Sequence, residues 1–368
     1  MMRYLCKQCG KTYPIASKRY TCECGSLFHL SYSKTVPAFG ALKNDHSLWR
    51  YRSALPPFEE KTIKRITMGE GGTPVIRLDE HLFGKADYLM PTLSFKDRGA
   101  AMLAALMVET GVRRCAIDSS GNAATAVAAY AARAGIATEV FVPSSTSEKK
   151  LTQIEAHGGR IHLIEGSRDQ TARATIDFVN GSEIFYASHI FNPFFWEGTK
   201  TYVYELFEQL GSLPDVLIVP VGNGTLLMGV YIALKELEAW NLIDSHPLVI
   251  ALQAAGCAPL AQAYEQGSLS PRSVSVSPTL AEGIATGEPA RGAQILEAVH
   301  DLGGRFVTVT EEEILTSHGD LARMGVYVEH TAAANLAAYR VALKQDPTLA
   351  DKKALIPLTG AGLKSAIR

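Results

Sequence analysis

Val216-Leu217-Ile218-Val219-Pro220-Val221-Gly222-Asn223-Gly224-Thr225 is a continuous apolar run that ends in a glycine-bearing turn with a helical stretch beyond it. A short uninterrupted apolar run of this kind reads as a strand buried on both faces, and a strand passing straight into a helix is half of a βα unit. The pattern recurs. Strand-like runs at Cys115–Asp118, Glu139–Val142, Arg160–Ile164, Leu248–Leu252, Arg305–Val309 and Ala354–Leu358 alternate with alanine-rich helical stretches such as Asn122–Arg133. That alternation predicts an open α/β fold with parallel sheets. At 368 residues the chain exceeds what one core ordinarily serves, so two open parallel-sheet domains are expected. The Gly-, Pro- and Ser-rich stretch Gly267–Pro278 reads as a surface loop.

Three turns carry chemistry. The glycines of Gly222-Asn223-Gly224-Thr225 let the backbone wrap closely around an anion at a helix N-terminus, which makes the turn a candidate phosphate cradle. Ser119-Ser120-Gly121-Asn122 sets a side-chain amide and backbone N–H groups at the carboxyl end of another strand. Pro91-Thr92-Leu93-Ser94-Phe95-Lys96-Asp97-Arg98-Gly99 puts a lysine among small polar residues just before a helix predicted over Ala100–Glu109. Any one of these alone is weak, since most lysines are solvated charges and short Gly-x-Gly turns are common.

Lys and Arg total 36 against 37 Asp and Glu, a net charge of -1, so the chain has no global positive field for nucleic acid or an anionic membrane. No apolar run approaches the roughly 20 residues of a membrane span, and Met1-Met2-Arg3-Tyr4 leads into cysteines, not into a signal-peptide core. A cytoplasmic protein acting on a small molecule, with no nucleic-acid or membrane partner, is the expectation. Of six cysteines, Cys6, Cys9, Cys22 and Cys24 crowd the N-terminus while Cys115 and Cys257 stand alone, unlike a disulfide framework. The paired spacing predicts a zinc-ribbon-like segment over residues 1–35, with those four thiolates as ligands of one structural zinc ion. The alternative is a ribbon that folds without metal, its cysteines packing as small apolar side chains.

The lysine motif, the Ser-Gly-Asn turn and the Gly-x-Gly turn, in that order, resemble pyridoxal-phosphate (PLP) enzymes of fold type II, the tryptophan synthase β family, and among them the threonine synthases. Trp49-Arg50-Tyr51, Gly69-Glu70-Gly71-Gly72-Thr73-Pro74, Asn192-Pro193, Glu197-Gly198 and Thr359-Gly360 extend the likeness over nearly the whole chain. The resemblance implies a large PLP-binding domain of residues 36–100 together with 195–368, a small domain of residues 101–194, and a homodimer. It implies that Lys96 carries PLP as a Schiff base and, once displaced, moves protons at the substrate's α and β carbons. Asn122 would hydrogen-bond the cofactor's O3′, Gly222, Asn223, Gly224 and Thr225 would bind its phosphate, and Thr359 would face its pyridine nitrogen. The substrate would meet Ser94, Ser120, Ala123 and Phe195.

Departures from the family pattern gather at one place. Where the family carries Asn-Pro-Thr-Gly-Ser-Phe-Lys, this chain has Met90 for the asparagine and Leu93 for the glycine. Phe194-Phe195-Trp196 stands where the family has an arginine, Ala123 replaces a threonine, and the terminus reads Thr359-Gly360-Ala361-Gly362. Losing one charge-assisted bond to phosphate costs on the order of 1.5–3 kcal/mol, so several such losses point to a substrate without a phosphate unless Lys200 or Arg291 supplies the charge. The expected activity is a PLP-dependent lyase or synthase working by elimination or replacement at the β or γ carbon of an amino acid. The alternative is a serine/threonine dehydratase-type deaminase or a β-replacement enzyme acting on an unphosphorylated substrate.

Overall fold

The computed structural model describes residues 2–40, 45–146, 148–166 and 168–364. They pack as two compact units, one built from the chain through Gly71 together with Lys96–Gly198, the other from Gly72–Phe95 and from Thr199 onward.

The first unit opens with a three-stranded antiparallel sheet in which Arg3–Leu5 lies between Thr12–Pro14 and His29–Ser31. Tyr4 anchors this small sheet by stacking on Phe28 at 5.1 Å and meeting Phe194 edge-on at 6.0 Å. The rest of the unit is a four-stranded parallel sheet in the order Arg160–Ile164, Ala137–Pro143, Arg114–Asp118, Phe185–Tyr186. The chain steps outward from Arg114–Asp118 in one direction and returns to its other side with Phe185–Tyr186. Arg114–Asp118 is therefore the strand at which the winding reverses, and open α/β sheets bind ligands beyond the carboxyl end of such a strand. Ser119–Gly121 leaves from that end.

The second unit holds a six-stranded sheet in the order Arg305–Val309, Leu248–Ala254, Val216–Pro220, Ala354–Pro357, Leu82–Lys85, Val75–Arg77. Here the winding reverses between Val216–Pro220 and Ala354–Pro357, which pair in parallel register, Val216 beside Ala354. Ile218, Ile250 and Leu252 are fully buried, and burying each contributes about 1.5–3 kcal/mol. The alanine-rich helix His330–Gln345 packs on this sheet, its small side chains allowing a close approach.

An all-parallel sheet was the expectation, and the second sheet is mixed: Val75–Arg77 pairs antiparallel with Leu82–Lys85 at one edge. The cause is connection length. Residues 78–81 form a tight reversal with Leu78 N–H donating to Leu82 O at 2.9 Å, whereas a parallel pair needs a crossover of a dozen or more residues. Among the described residues no helix is long and apolar enough to cross a membrane.

Candidate active site

Lys96 is the first residue of the helix Lys96–Glu109, one turn earlier than the helix start expected at Ala100. It is half-buried, and its Nζ lies over the face of Phe195 at 5.8 Å from the ring centroid. Phe195 reaches that position because Gly99 has no side chain: a Cβ there would fall 2.3 Å from the phenyl ring. Gly198 is bare for the same reason, since its Cβ would meet Arg98 O at 1.9 Å. The segment Phe194–Thr199 thus lies flush on the lysine helix, and Phe195 forms a fully buried apolar wall beneath the amine.

Residues 92–95 are zipped to the chain's last described turn. Ala361 N–H donates to Leu93 O at 3.0 Å, Phe95 N–H to Thr359 O at 3.0 Å and Lys364 Nζ to Thr92 O at 2.8 Å, while Ser94 bridges Gly360 antiparallel. Within this zipper Leu93 has φ +63, left-handed backbone that a leucine adopts at a cost of about 1–2 kcal/mol. This is the position at which the resembling family carries glycine. We expect Leu93→Gly to leave the melting free energy within about 1 kcal/mol of the parent, because relief of that strain offsets the loss of a half-buried side chain. Leu93→Val, branched at Cβ, should cost stability, so thermal melts giving the opposite order would contradict the strain.

Ser94 and Thr359, expected to meet substrate and cofactor ring respectively, come together in this zipper. Both are buried, and neither Ser94 Oγ nor Thr359 Oγ1 has a hydrogen-bond partner among the described residues. A buried hydroxyl left unpaired costs on the order of 1–3 kcal/mol, so each fits a site built to receive a polar group.

Thr359 follows the strand Ala354–Pro357, and Gly222-Asn223-Gly224-Thr225 follows its parallel neighbour Val216–Pro220, so both leave the sheet at the same carboxyl end. Gly224 has φ +74 and precedes the helix Thr225–Ala239, whose first turn has no side-chain cap and no acid. A Cβ on Gly224 would fall 2.5 Å from Ile295 Cδ1, and one on Gly222 3.0 Å from Ile284 Cα. Both glycines are therefore fixed by close packing, and the helix start beside them has neither a capping side chain at Gly224 nor an acid in its first turn that would repel an anion.

Asn122 begins the helix Asn122–Ala134, which packs against the lysine helix in the first unit. Its preceding Gly121 supplies no side-chain cap, Ser120 is half-buried, and Ala123 is buried, its methyl in place of any hydroxyl. Tyr186 OH donates to Asp118 Oδ1 at 2.6 Å, fastening the ends of the two strands where the winding reverses.

At the N-terminus the two cysteine turns face each other. Sγ atoms of Cys6 and Cys24 are 3.5 Å apart, as are those of Cys9 and Cys22, and all four lie within 4.8 Å of one another. Gly10 and Gly25, at φ +72 and +82, close these turns. Thiolates bound tetrahedrally at about 2.3 Å from zinc would stand about 3.8 Å apart, so the cluster has the size of such a site. Hydrogen bonds from Ser26 pull the Cys24 thiol down to about 6.

A sequence profile of the family described as Pyridoxal-phosphate dependent enzyme matches residues 66–360. The chain belongs to that family. It is similar to the threonine synthase of Methanocaldococcus jannaschii, 32% identical over 375 residues that cover 98% of this chain and 92% of that protein. The threonine synthase of Mycobacterium leprae is 35% identical over 325 residues, 85% of this chain and 87% of the relative. Among solved structures, maize serine racemase superposes with a TM-score of 0.71 at 23% identity, covering 83% of this chain and 94% of that one. The processed form of threonine deaminase isoform 2 from Solanum lycopersicum gives 0.65 at 22% identity, covering 83% of this chain and 78% of that one. These structures share the fold.

Pyridoxal phosphate requires an amine, an anion cradle and a partner for its ring nitrogen, and the unpaired Thr359 Oγ1 and the bare helix start at Gly224 fit the last two. Three features escaped the sequence reading: the left-handed Leu93, the zipper from residue 92 to 364, and the carboxylate of Glu329, which lies against Gly360. The glycine normally found at position 93 was the one available signal for the first.

Proposed function

We propose that this PLP-dependent enzyme works by elimination or replacement at the β or γ carbon of an amino acid that carries no phosphate. Its relatives named threonine synthase support the reaction class. Bound PLP supplies an electron sink for the electrons released at the substrate's α carbon. In this reading Lys96 holds the cofactor and then moves protons at the α and β carbons, while the Phe195 face excludes water from the amine. Gly222, Asn223, Gly224 and Thr225 hold the phosphate, Asn122 orients O3′, and Thr359 pairs with the ring nitrogen through a hydroxyl that does not force its protonation. Ser94 and Ser120 are left to bind the amino acid.

The observation that carries the substrate assignment is the fate of the remaining cations. Lys200 is fully buried and ion-paired with Glu236 at 3.1 Å, which also accepts from Tyr204 OH, so its charge is already matched. Arg291 is 1% exposed and bonds Gln294 at 2.6 Å. Met90, Ala123 and Phe195 are buried and bring no donor. A phosphate dianion desolvated against such side chains binds poorly, whereas each buried methylene of an apolar substrate contributes about 0.8 kcal/mol. The test is steady-state kinetics with O-phospho-homoserine beside serine, threonine and O-acetyl-homoserine. Threonine formation from O-phospho-homoserine with kcat/KM at or above about 10⁴ M⁻¹s⁻¹ would restore the plain threonine synthase reading.

We also propose one structural zinc ion on Cys6, Cys9, Cys22 and Cys24, on the strength of their spacing and the convergence of their four Sγ atoms within 4.8 Å of one another. Metal analysis of protein purified without chelator should give one zinc per chain. Chelation should then unfold the N-terminal sheet while the bound cofactor's absorbance persists. Protein free of zinc would remove the assignment.

A further inference from the structure

Tyr4 lies on the central strand of the N-terminal sheet, paired with Tyr13 on one side and Leu30 on the other. Successive side chains of a strand point to opposite faces, so Tyr4 turns inward between the half-buried Arg3 and Leu5 and is 1% exposed. Stacked on Phe28, its ring meets Phe194 edge-on, and its hydroxyl accepts from Asn192 Nδ2 at 3.3 Å. Asn192 is held at its other atoms as well: Oδ1 accepts from Phe194 N–H at 3.0 Å, and its backbone O accepts from Phe195 N–H at 3.1 Å. These bonds open the helix Phe194–Thr199, whose six residues are too few to hold a helical shape unaided. Phe195, its second residue, is the wall beneath Lys96 Nζ. In the stretch leading to that helix, Tyr20 meets Tyr186 edge-on at 5.3 Å and Phe191 at 5.5 Å, so the N-terminal segment grips it twice.

We propose that Tyr4 is a positioning residue for the active site: through Asn192 it sets the seat of Phe195 under the Lys96 amine. That role rests on the reading in which Phe195 walls the amine, and it brings the N-terminal sheet, outside the residues 66–360 that the family profile matches, into the reaction. Plain packing does not call for the hydroxyl. A phenylalanine would stack on Phe28 and meet Phe194 equally well, whereas a buried hydroxyl costs stability unless it is bonded. Here its bond goes to the side chain that caps the helix bearing Phe195. Without that bond, Asn192 loses a buried acceptor for its amide and can turn away from Phe194 N–H, which loosens the helix start. Phe195 then shifts off the amine, and water enters beside the nitrogen through which Lys96 holds the cofactor.

The test is the rate at which hydroxylamine strips the cofactor from the PLP-loaded full chain, followed as loss of visible absorbance, in the parent, in Tyr4→Phe, Tyr4→Leu and Phe195→Leu, and in the double variant of Tyr4→Phe with Phe195→Leu. Tyr4→Phe keeps the ring and removes only the hydroxyl. It should lose cofactor about 3-fold or more faster than the parent, Tyr4→Leu and Phe195→Leu faster still, and the double variant at the rate of Phe195→Leu. A residue that merely held the fold together would speed stripping equally with and without the Phe195 ring. Phe195→Leu at the parent's rate would remove Phe195 from the amine, and this role of Tyr4 with it. Phe195→Leu faster but Tyr4→Phe at the parent's rate, or a double variant faster by the product of the two effects, would overturn the role of Tyr4 alone and leave the wall in place.

Discussion

Replacing Lys96 with alanine is expected to leave a folded protein that has lost its covalently held, coloured cofactor and at least about 10³-fold of its activity. The fold should survive because Lys96 is only the first residue of its helix, and the helix is held by Gly99 and Gly198 packing, not by the lysine. The amine itself is irreplaceable. It is the one group in the site proposed both to bind the cofactor and to move protons, and alanine can do neither. Lys96→Arg should be no better, since a guanidinium stays protonated and cannot act as the nucleophile. Borohydride reduction of loaded protein followed by peptide mapping checks the assignment directly. The parent should carry the label on Lys96, and a labelled lysine elsewhere in Lys96→Ala would sink it.

The second large effect is expected at Gly224. Gly224→Ala puts a Cβ 2.5 Å from Ile295 Cδ1 on backbone already at φ +74, so the start of the helix Thr225–Ala239 must shift. Charge-assisted hydrogen bonds from that helix start to the phosphate are worth roughly 1.5–3 kcal/mol each, so displacing two should weaken cofactor binding by about 100-fold or more. Backbone strain alone would also lower stability, and Gly267→Ala separates the two effects. Gly267 has φ +66 with nothing within 4 Å of an added Cβ. It should lose a similar 1–2 kcal/mol of stability, roughly, and keep its affinity for PLP. Equal PLP affinity in the two variants, measured by fluorescence titration, would argue against the cradle.

How much of this was legible beforehand depends on where the determining contacts lie. The strands Val216–Pro220, Leu248–Ala254 and Ala354–Pro357 could be read from sequence because parallel strands buried on both faces leave unbroken apolar runs. The strands Val75–Arg77 and Leu82–Lys85 could not, being three and four residues long and holding Lys85, which is fully buried and ion-paired with Glu205 at 2.7 Å. The lysine helix was read as starting late because Asp97, Arg98 and Gly99 carry no apolar periodicity; all three are buried by tertiary packing. Lys200 looked like a spare cation in the sequence, and only the fold brings Glu236 to it.

The most direct test of the central claim is product analysis. PLP-loaded protein is incubated with serine, threonine, O-acetyl-homoserine and O-phospho-homoserine, and the mixtures are assayed for ammonia with a 2-oxo acid and for new amino acids. The account expects at least one substrate to be converted with loss or exchange of its β or γ substituent, in a reaction that requires both PLP and Lys96. Protein that binds PLP yet converts none of them, or converts them equally well as Lys96→Ala, would contradict it.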